Sequence, residues 1–308
     1  MSCDDVIDVS ALWPELAGEQ MSANSDAGKL IREAWATELA QQTADSGKNQ
    51  GRRWSIIRQV VDYKDGELPL QGLYARPEGE GLPEKLPGVI LAHTAVGPQE
   101  DFILWKLDSL ARDGYAAFAL DMFGTGRALW NRSESLAARR VITEDRSLMQ
   151  ARASAALRTL RGLVGVDSDR IAAVGYCFGG MSVLDLARMG APRGLRAVAT
   201  LHGILVPISA GAGKDPSLND IPIKPRILIL HASGDPFVPP EQVQAMKEEF
   251  ERRKARLEIV TYGGNARHAF TRPEKVTPAD QEAGLSYDEQ ADTDSWRRVT
   301  DMLRRELR

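Results

Sequence analysis

The chain reads Gly175-Tyr176-Cys177-Phe178-Gly179 near its middle, after an apolar run at 170–174 and before a helical pattern at 180–187. This order predicts a strand, a tight turn and a helix, with G-x-C-x-G at the turn. Gly175 and Gly179 have no Cβ, so strand and helix can approach closely on both sides of Cys177. A side chain at such a turn lies at a helix N-terminus, where the dipole favours a thiolate. Cys177 is therefore a candidate nucleophile.

Length and charge limit the classes of protein. The chain has 308 residues and a net charge of −4 with dispersed Lys and Arg, which predicts no nucleic-acid partner and no anionic membrane surface. No apolar run approaches the roughly 18 residues of a membrane span, and the acidic start lacks a signal-peptide pattern. Only Cys3 and Cys177 are present, so we expect no disulfide framework and a cytoplasmic location. No Cys/His spacing suggests zinc, and we expect neither a metal nor a cofactor.

The first 53 residues differ from the rest. Within 26–40 the apolar residues fall on one helical face: Leu30, Ile31, Ala34, Trp35 and Leu39. We predict an N-terminal extension, residues 1–53, that carries an amphipathic helix, followed by one domain at 54–308. The extension packs on that domain, covers its pocket or forms a subunit contact, and the sequence leaves these three alternatives open.

The segment 54–308 alternates between two patterns. Predicted strands lie at 55–63, 68–75, 87–93, 115–121, 171–176, 196–202, 226–231 and 257–262. Helical patterns lie at 102–111, 148–163, 243–250 and 296–307. Such alternation predicts an α/β fold with a mostly parallel sheet and helices on both faces. The first two strands, joined near Asp65-Gly66, predict an antiparallel hairpin at one edge.

Two residues downstream complete a candidate catalytic triad. A thiol nucleophile needs a base, and the base needs an orienting group. Asp235 follows the strand that ends at His231, and His268 lies in the loop after the last strand. This is the nucleophile–acid–histidine order of α/β-hydrolases, and all three residues project from one edge of the sheet.

Less specific explanations exist for each residue. A buried Cys is usually an inert apolar group, Asp235 precedes Pro236 as turn residues do, and His268 could be a structural loop histidine. The combined placement favours the triad. The strand-end histidines His93, His202 and His231 are interpreted as structural, with His202 also a candidate for the pocket wall.

Acyl transfer also needs donors for an oxyanion. One is the backbone N–H after the nucleophile, here that of Phe178. The second is expected in the loop 93–97, and we assign it to Ala95.

The chain resembles the dienelactone hydrolase family from about Val60 to the C-terminus. The segments that carry the resemblance are 166–171, Gly175-Tyr176-Cys177-Phe178-Gly179-Gly180, 119–127, Tyr262-Gly263-Gly264, His268-Ala269-Phe270 and Ser295-Trp296. The resemblance implies an α/β-hydrolase fold and no metal. It also implies hydrolysis of a carboxylic ester or lactone by a Cys–His–Asp triad through an acyl-enzyme.

The chain departs from the family pattern at two positions. Members commonly have Glu after the third strand, where it interacts with the resting thiol; Thr94 stands there, and Glu100 lies six residues on, out of register. Thr cannot accept the thiol proton near neutral pH, so activation rests on His268 and the helix dipole. Thr125 occupies the position of an arginine that holds the substrate carboxylate in dienelactone-cleaving members, and Arg127 is a candidate substitute.

The candidate substrate pocket is rich in aromatic residues near the predicted site loops. Its assigned residues are Thr94, Phe123, Arg127, Tyr176, His202, Phe237 and Phe270. The predicted partner is a small-molecule ester or lactone, for a monomer or a homodimer. The alternatives are a thioesterase or acyltransferase, a non-catalytic binding module, and a redox-responsive protein in which Cys3 would be the resolving thiol.

Overall fold

The computed structural model describes residues 9–13, 16, 26–46, 54–124, 126, 128–207 and 221–308. The strands are β1 (Ser55–Asp65), β2 (Leu68–Glu78), β3 (Leu86–Ala92), β4 (Ala116–Leu120), β5 (Val166–Tyr176), β6 (Leu195–Leu201), β7 (Arg226–Ala232) and β8 (Arg256–Tyr262). The helices are α1 (Val9–Leu12), α2 (Asp26–Ser46), α3 (Asp101–Arg112), α4 (Arg132–Glu144), α5 (Arg146–Gly162), α6 (Phe178–Arg188), α7 (Pro240–Arg252), α8 (Pro278–Glu282) and α9 (Glu289–Leu307). The order confirms the predicted α/β class.

The eight strands form one mixed sheet in the order β1-β2-β4-β3-β5-β6-β7-β8. β1 pairs antiparallel with β2, and β2 antiparallel with β4, while every pair from β4 to β8 is parallel. The parallel strands end at one edge of the sheet, where ligands bind in open α/β folds. Because β5, β7 and β8 all end there, the loops that follow them meet at a single site.

The predicted edge hairpin is confirmed. Asp65 pairs with Leu68 across a two-residue loop in which Gly66 has a φ of 58°. This left-handed conformation suits glycine because other residues carry a Cβ that crowds the backbone there. The hairpin gives the sheet its antiparallel edge.

The sheet is covered on both faces, as α/β folds require to bury apolar strands. On one face, α3 and α9 contribute Leu107 and Val299 to a core that also contains Val89. On the other face, α5, α6 and α7 contribute Leu160, Leu184 and Phe250 to a core that also contains the strand residue Ile90.

Helix α2 packs on the domain through its predicted apolar face, except that Leu30 is exposed. Ile31 and Trp35 are buried in the same core as α3, and Trp13 from the segment after α1 joins them. The predicted boundary between residues 53 and 54 stays a prediction. Among the helices described, none combines the length and the apolar character needed to cross a membrane.

Candidate active site

Cys177 lies at the turn between β5 and α6, with φ 55° and ψ −118°. This strained backbone is typical of a strand-to-helix elbow that presents a nucleophile. A Cβ at Gly175 would collide with the carbonyl of Gly179, and a Cβ at Gly179 would collide with the carbonyl of Ala92 in β3. The glycines are therefore required by the close approach of β3, β5 and α6.

Three side chains from separate loops meet at this turn. The Nε2 of His268 lies 3.0 Å from the Sγ of Cys177, and the Nδ1 of His268 lies 2.8 Å from the Oδ2 of Asp235. The other carboxylate oxygen of Asp235 accepts the N–H of Phe237 at 2.8 Å. With Nδ1–H donated to the carboxylate, Nε2 faces the sulfur in the arrangement of a nucleophile, a base and an orienting acid.

The surroundings of Cys177 favour its thiolate. Burial raises the pKa of the thiol. The charge of His268 and the hydrogen bonds from His268 and from the Phe178 amide lower it by more, so the net pKa lies below its ordinary value. The charge of Arg139 adds to this lowering. A thiolate is the nucleophilic form of cysteine, so these contacts increase the reactive fraction.

The pKa of His268 moves in the opposite direction. Burial lowers the pKa of the imidazole, but the Cys177 thiolate and the hydrogen bond to Asp235 outweigh it and raise the pKa to about 10. A raised imidazole pKa beside a lowered thiol pKa favours the thiolate–imidazolium form of the coupled pair. His268 then holds a proton that it can give to a leaving group.

The residues assigned as oxyanion donors, Phe178 and Ala95, are both neighbours of Cys177, one in the chain and one in the cavity wall. Phe178 is the first residue of α6, where the backbone N–H has no acceptor within the helix. Ala95 lines the cavity beside Cys177, and its carbonyl accepts the hydroxyl of Ser135 at 2.6 Å. This bond fixes the loop after β3.

A cavity of about 700 Å³ opens over Cys177. Of the residues assigned from sequence, Thr94, Ala95, His202, Phe237 and His268 line it with Cys177. Its wall also contains residues outside that assigned set: Ala27, Gly28, Ile31, Val96, Glu100, Trp130, Arg132, Arg139, Ile204, Ala269, Arg272, Glu274, Lys275, Asp280, Ala283 and Leu285. The N-terminal extension therefore contributes to the cavity wall.

Phe123, Tyr176 and Phe270 were assigned to the pocket from sequence, but they are not among the residues that line this cavity. Tyr176 is the last residue of β5, points into the core and packs edge-on to Phe102, while Phe270 is fully buried. The ring of Phe123 stacks on the ring of Phe178, the residue after Cys177, with 5.6 Å between the ring centroids. Arg127 lies outside the residues that the structure describes.

A buried charged network adjoins Thr94. Its hydroxyl donates to Glu100 at 2.6 Å, and Glu100 pairs with Arg272, which also pairs with Glu274. Glu100 is thus in the cavity wall although it lies six residues beyond Thr94, because the loop turns back before α3 begins at Asp101. The sequence pattern placed Glu100 out of register with the site, and it assigned no role to Arg272 or Glu274.

Helix α4 brings two arginines to the cavity. Arg139 and Arg132 line it, and the Nε of Arg139 donates to the carbonyl of Ser135 at 3.3 Å. The hydrophobic pattern does not predict α4, so neither arginine was assigned to the pocket from sequence. They make this wall of the cavity cationic.

His202 lies beside the catalytic candidates as an uncharged ring. Its Nε2 lies 2.9 Å from the hydroxyl of Thr271, and its ring packs edge-on to His268 at 5.3 Å. Burial first, and then the charge of His268, hold the pKa of His202 well below its usual range. A neutral ring here avoids a second positive charge beside the imidazolium.

His93 is structural, as interpreted from sequence. Its Nδ1 lies 2.6 Å from the carbonyl of Thr94, and its Nε2 accepts the N–H of Met122 at 3.2 Å. Both ring nitrogens are therefore engaged in holding the loops after β3 and β4.

Comparisons with known proteins add independent information. A family model described as the dienelactone hydrolase family matches residues 70–307. An uncharacterized protein of Caenorhabditis elegans is 32% identical over 168 residues, which are 53% of this chain and 98% of that protein. Esterase FrsA of Escherichia fergusonii is 27% identical over 195 residues, which are 63% of this chain and 40% of the esterase. The match therefore spans less than half of that esterase.

Solved structures agree with the family match. A dienelactone hydrolase-like promiscuous phosphotriesterase from metagenomic libraries is 32% identical, with a TM-score of 0.73. The alignment covers 82% of this chain and 100% of that enzyme. The chain is thus similar to this solved enzyme in sequence and in fold over most of its length.

Proposed function

Because the chain belongs to the dienelactone hydrolase family of α/β-hydrolases, we propose that this hydrolase cleaves carboxylic esters or lactones with Cys177 as its nucleophile. His268 is the general acid and base, and Asp235 is the orienting acid. The observation that carries the proposal is the pair of contacts made by His268, 3.0 Å to the sulfur and 2.8 Å to the carboxylate. Both contacts lie within the reach that proton transfer requires.

The first half of the reaction forms an acyl-enzyme. The thiolate of Cys177 attacks the carbonyl carbon, and the backbone N–H groups of Phe178 and Ala95 stabilise the oxyanion. The C–O bond then breaks, and the proton on Nε2 of His268 goes to the departing alkoxide. In a lactone the alkoxide stays attached to the acyl group, so the product remains bound to Cys177 as one piece.

The second half restores the enzyme. Nε2 of His268, now neutral, takes a proton from water, and the water oxygen attacks the thioester carbonyl. The C–S bond breaks, the acid leaves, and the thiolate returns beside the imidazolium. Asp235 keeps the imidazole in the tautomer that these steps need, as in related triads.

The cationic wall supports a substrate that carries a negative charge. Arg139 and Arg132 line the cavity from α4, whereas Arg272 is already paired with Glu100 and Glu274. An acid group on the ester would meet the two α4 arginines. Arginine binds carboxylates through paired hydrogen bonds, which adds orientation to attraction.

Mass spectrometry of the acyl-enzyme tests the proposal. We expect p-nitrophenyl butyrate to add a butyryl group to the Cys177 peptide of the His268→Gln protein, because that variant lacks the base that deacylates. The wild-type protein is expected to release butyrate and to show no stable adduct. Butyrylation at another residue, or none at Cys177 in either protein, would contradict the proposal.

Phosphotriesters are a second candidate substrate class. The support is the similarity to the promiscuous phosphotriesterase, 32% identical over 82% of this chain. An aryl dialkyl phosphate tested beside the esters distinguishes the classes, and phosphorylated Cys177 without turnover would argue against this one. The thioesterase and acyltransferase alternatives would use the same acyl-enzyme at Cys177. The redox alternative involves Cys3, which lies outside the described residues.

A further inference from the structure

Helix α2 lies outside the part of the chain that the family model matches, which begins at residue 70. Three of its residues nevertheless line the cavity over Cys177: Ala27, Gly28 and Ile31. Ala27 and Ile31 are four residues apart, and such residues share one face of a helix. One face of α2 is therefore part of the candidate active site.

Buried polar contacts hold α2 in this position. Arg32 pairs with Asp101 at 2.9 Å, with side chains only 9% and 1% exposed. Further along the helix, Glu38 accepts the indole N–H of Trp105 at 2.8 Å. Both partners belong to α3, which begins directly after the cavity residue Glu100. The position of α2 is thus tied to the loop that carries the cavity wall.

The part of the cavity wall that α2 supplies is apolar, and an apolar residue from another segment shares the cavity. Ile31 is buried, and Leu285 lines the cavity from the segment after α8. The backbone of Leu285 pairs with that of His268 in a β-bridge. The cavity therefore has an apolar part as well as the cationic wall from α4.

The cavity is also large for a small lactone. Its volume of about 700 Å³ is within the range of pockets that enclose drug-sized ligands. We infer that α2 is a specificity element, and that Ala27 and Ile31 determine how long an apolar group the substrate can carry. This inference rests on the proposed ester hydrolysis, and it assigns medium-chain aliphatic esters to the cavity.

Substitution at Ala27 tests the inference with little risk to folding, because this residue is exposed at the cavity rim. We expect Ala27→Trp to lower kcat/KM for p-nitrophenyl octanoate relative to the acetate by at least about tenfold. Leu30→Trp is the matched control, because Leu30 is exposed on α2 and does not line the cavity. It should leave the ratio within about twofold.

Enlarging the cavity should have the opposite effect. Ile31→Ala is expected to shift the best substrate to a longer chain within a series from acetate to dodecanoate. An unchanged ratio in Ala27→Trp together with an unchanged optimum in Ile31→Ala would overturn the inference. An equal change in Ala27→Trp and Leu30→Trp would overturn it as well.

A readout without turnover separates this inference from the proposed function. Alkylation of Cys177 by iodoacetamide and by N-octyl iodoacetamide, followed by mass spectrometry, measures access to the thiol alone. We expect Ala27→Trp to slow the octyl reagent at least about tenfold more than the small one. If wild-type protein turned over no ester, the proposed function would fail, but the ratio of the two alkylation rates would still test the role of α2. Equal slowing of both reagents by Ala27→Trp would overturn that role.

Discussion

The Nε2 of His268 lies 3.0 Å from the Sγ of Cys177, although 91 residues separate them in the chain. The contact exists because β5 and β8 are parallel strands of one sheet and end at the same edge. It lowers the pKa of the thiol and raises that of the imidazole to about 10. A reactive thiolate is the chemical consequence.

Alkylation of Cys177 should therefore begin at lower pH than that of an ordinary thiol. A lowered thiol pKa means that the thiolate persists as pH falls, so the acid limb of the iodoacetamide rate should lie below the ordinary value of about 8.5. His268→Gln removes the positive charge, and the limb should move up in pH, because burial is then opposed only by the weaker effects of the Phe178 amide and the Arg139 charge.

Mass spectrometry of the Cys177 peptide gives the rate without interference from Cys3. His231→Gln is the control, because His231 lies at the end of β7 and does not line the cavity. An acid limb at the same pH in wild type and His268→Gln would refute the thiolate–imidazolium pair.

The buried pair of Glu100 and Arg272 predicts a stability effect. Glu100→Gln leaves Arg272 buried with Glu274 as its remaining partner, and breaking a buried pair costs about 3 kcal/mol. Glu144→Gln breaks the exposed pair with Arg140 and should cost far less, because water and salt screen exposed ion pairs. Urea unfolding measures both free energies, and equal losses would show that the Glu100 pair contributes little.

Arg139 predicts a preference for charged substrates. Arg139→Gln should raise KM for the p-nitrophenyl monoester of succinate by at least about tenfold, because a charge-assisted hydrogen bond contributes about 2 kcal/mol. The KM for neutral p-nitrophenyl butyrate should change far less. Arg140→Gln is the matched control, because Arg140 is exposed and pairs with Glu144. A similar rise for both esters would argue against recognition of the carboxylate.

The elbow glycine Gly179 predicts a steric effect. Gly179→Ala would press a Cβ against the carbonyl of Ala92, and overpacking of this kind costs about 2 kcal/mol or more. Gly162→Ala, at the end of α5, meets no atom within 4 Å and should be neutral or slightly stabilising. Thermal unfolding of the two variants compares them, and a Gly179→Ala protein as stable as wild type would mean that the elbow relaxes freely.

The strand pattern could be predicted because buried parallel strands are apolar runs bounded by turn residues. All eight predicted strands occur, and the largest difference is that β5 begins at Val166 instead of 171. Residues 166–167 pair with the start of β3 across an irregularity in the register, which a hydrophobic pattern does not indicate. Helix α4 was missed because most of its residues are polar or charged and only Ser135 and Ile142 are buried.

The position of the candidate catalytic groups could be predicted because topology places strand ends together, whereas most of the individual residues of the pocket wall could not. Arg272 and Glu100 are 172 residues apart, and no local pattern links them. Tyr176 and Phe270 have side chains buried in the core, and the sequence near the site loops does not indicate whether an aromatic side chain enters the core or the cavity. The contribution of α2 depends on how an extension docks, for which the sequence left three alternatives open.

The most direct test of the account is steady-state turnover of short aryl esters and lactones by wild type and by Cys177→Ala. Many turnovers per enzyme must be followed, because any reactive thiol can be acylated once. We expect sustained hydrolysis by wild type and none by Cys177→Ala, with unchanged folding by circular dichroism. Sustained turnover by Cys177→Ala at the wild-type rate would contradict the assignment of Cys177 as the nucleophile.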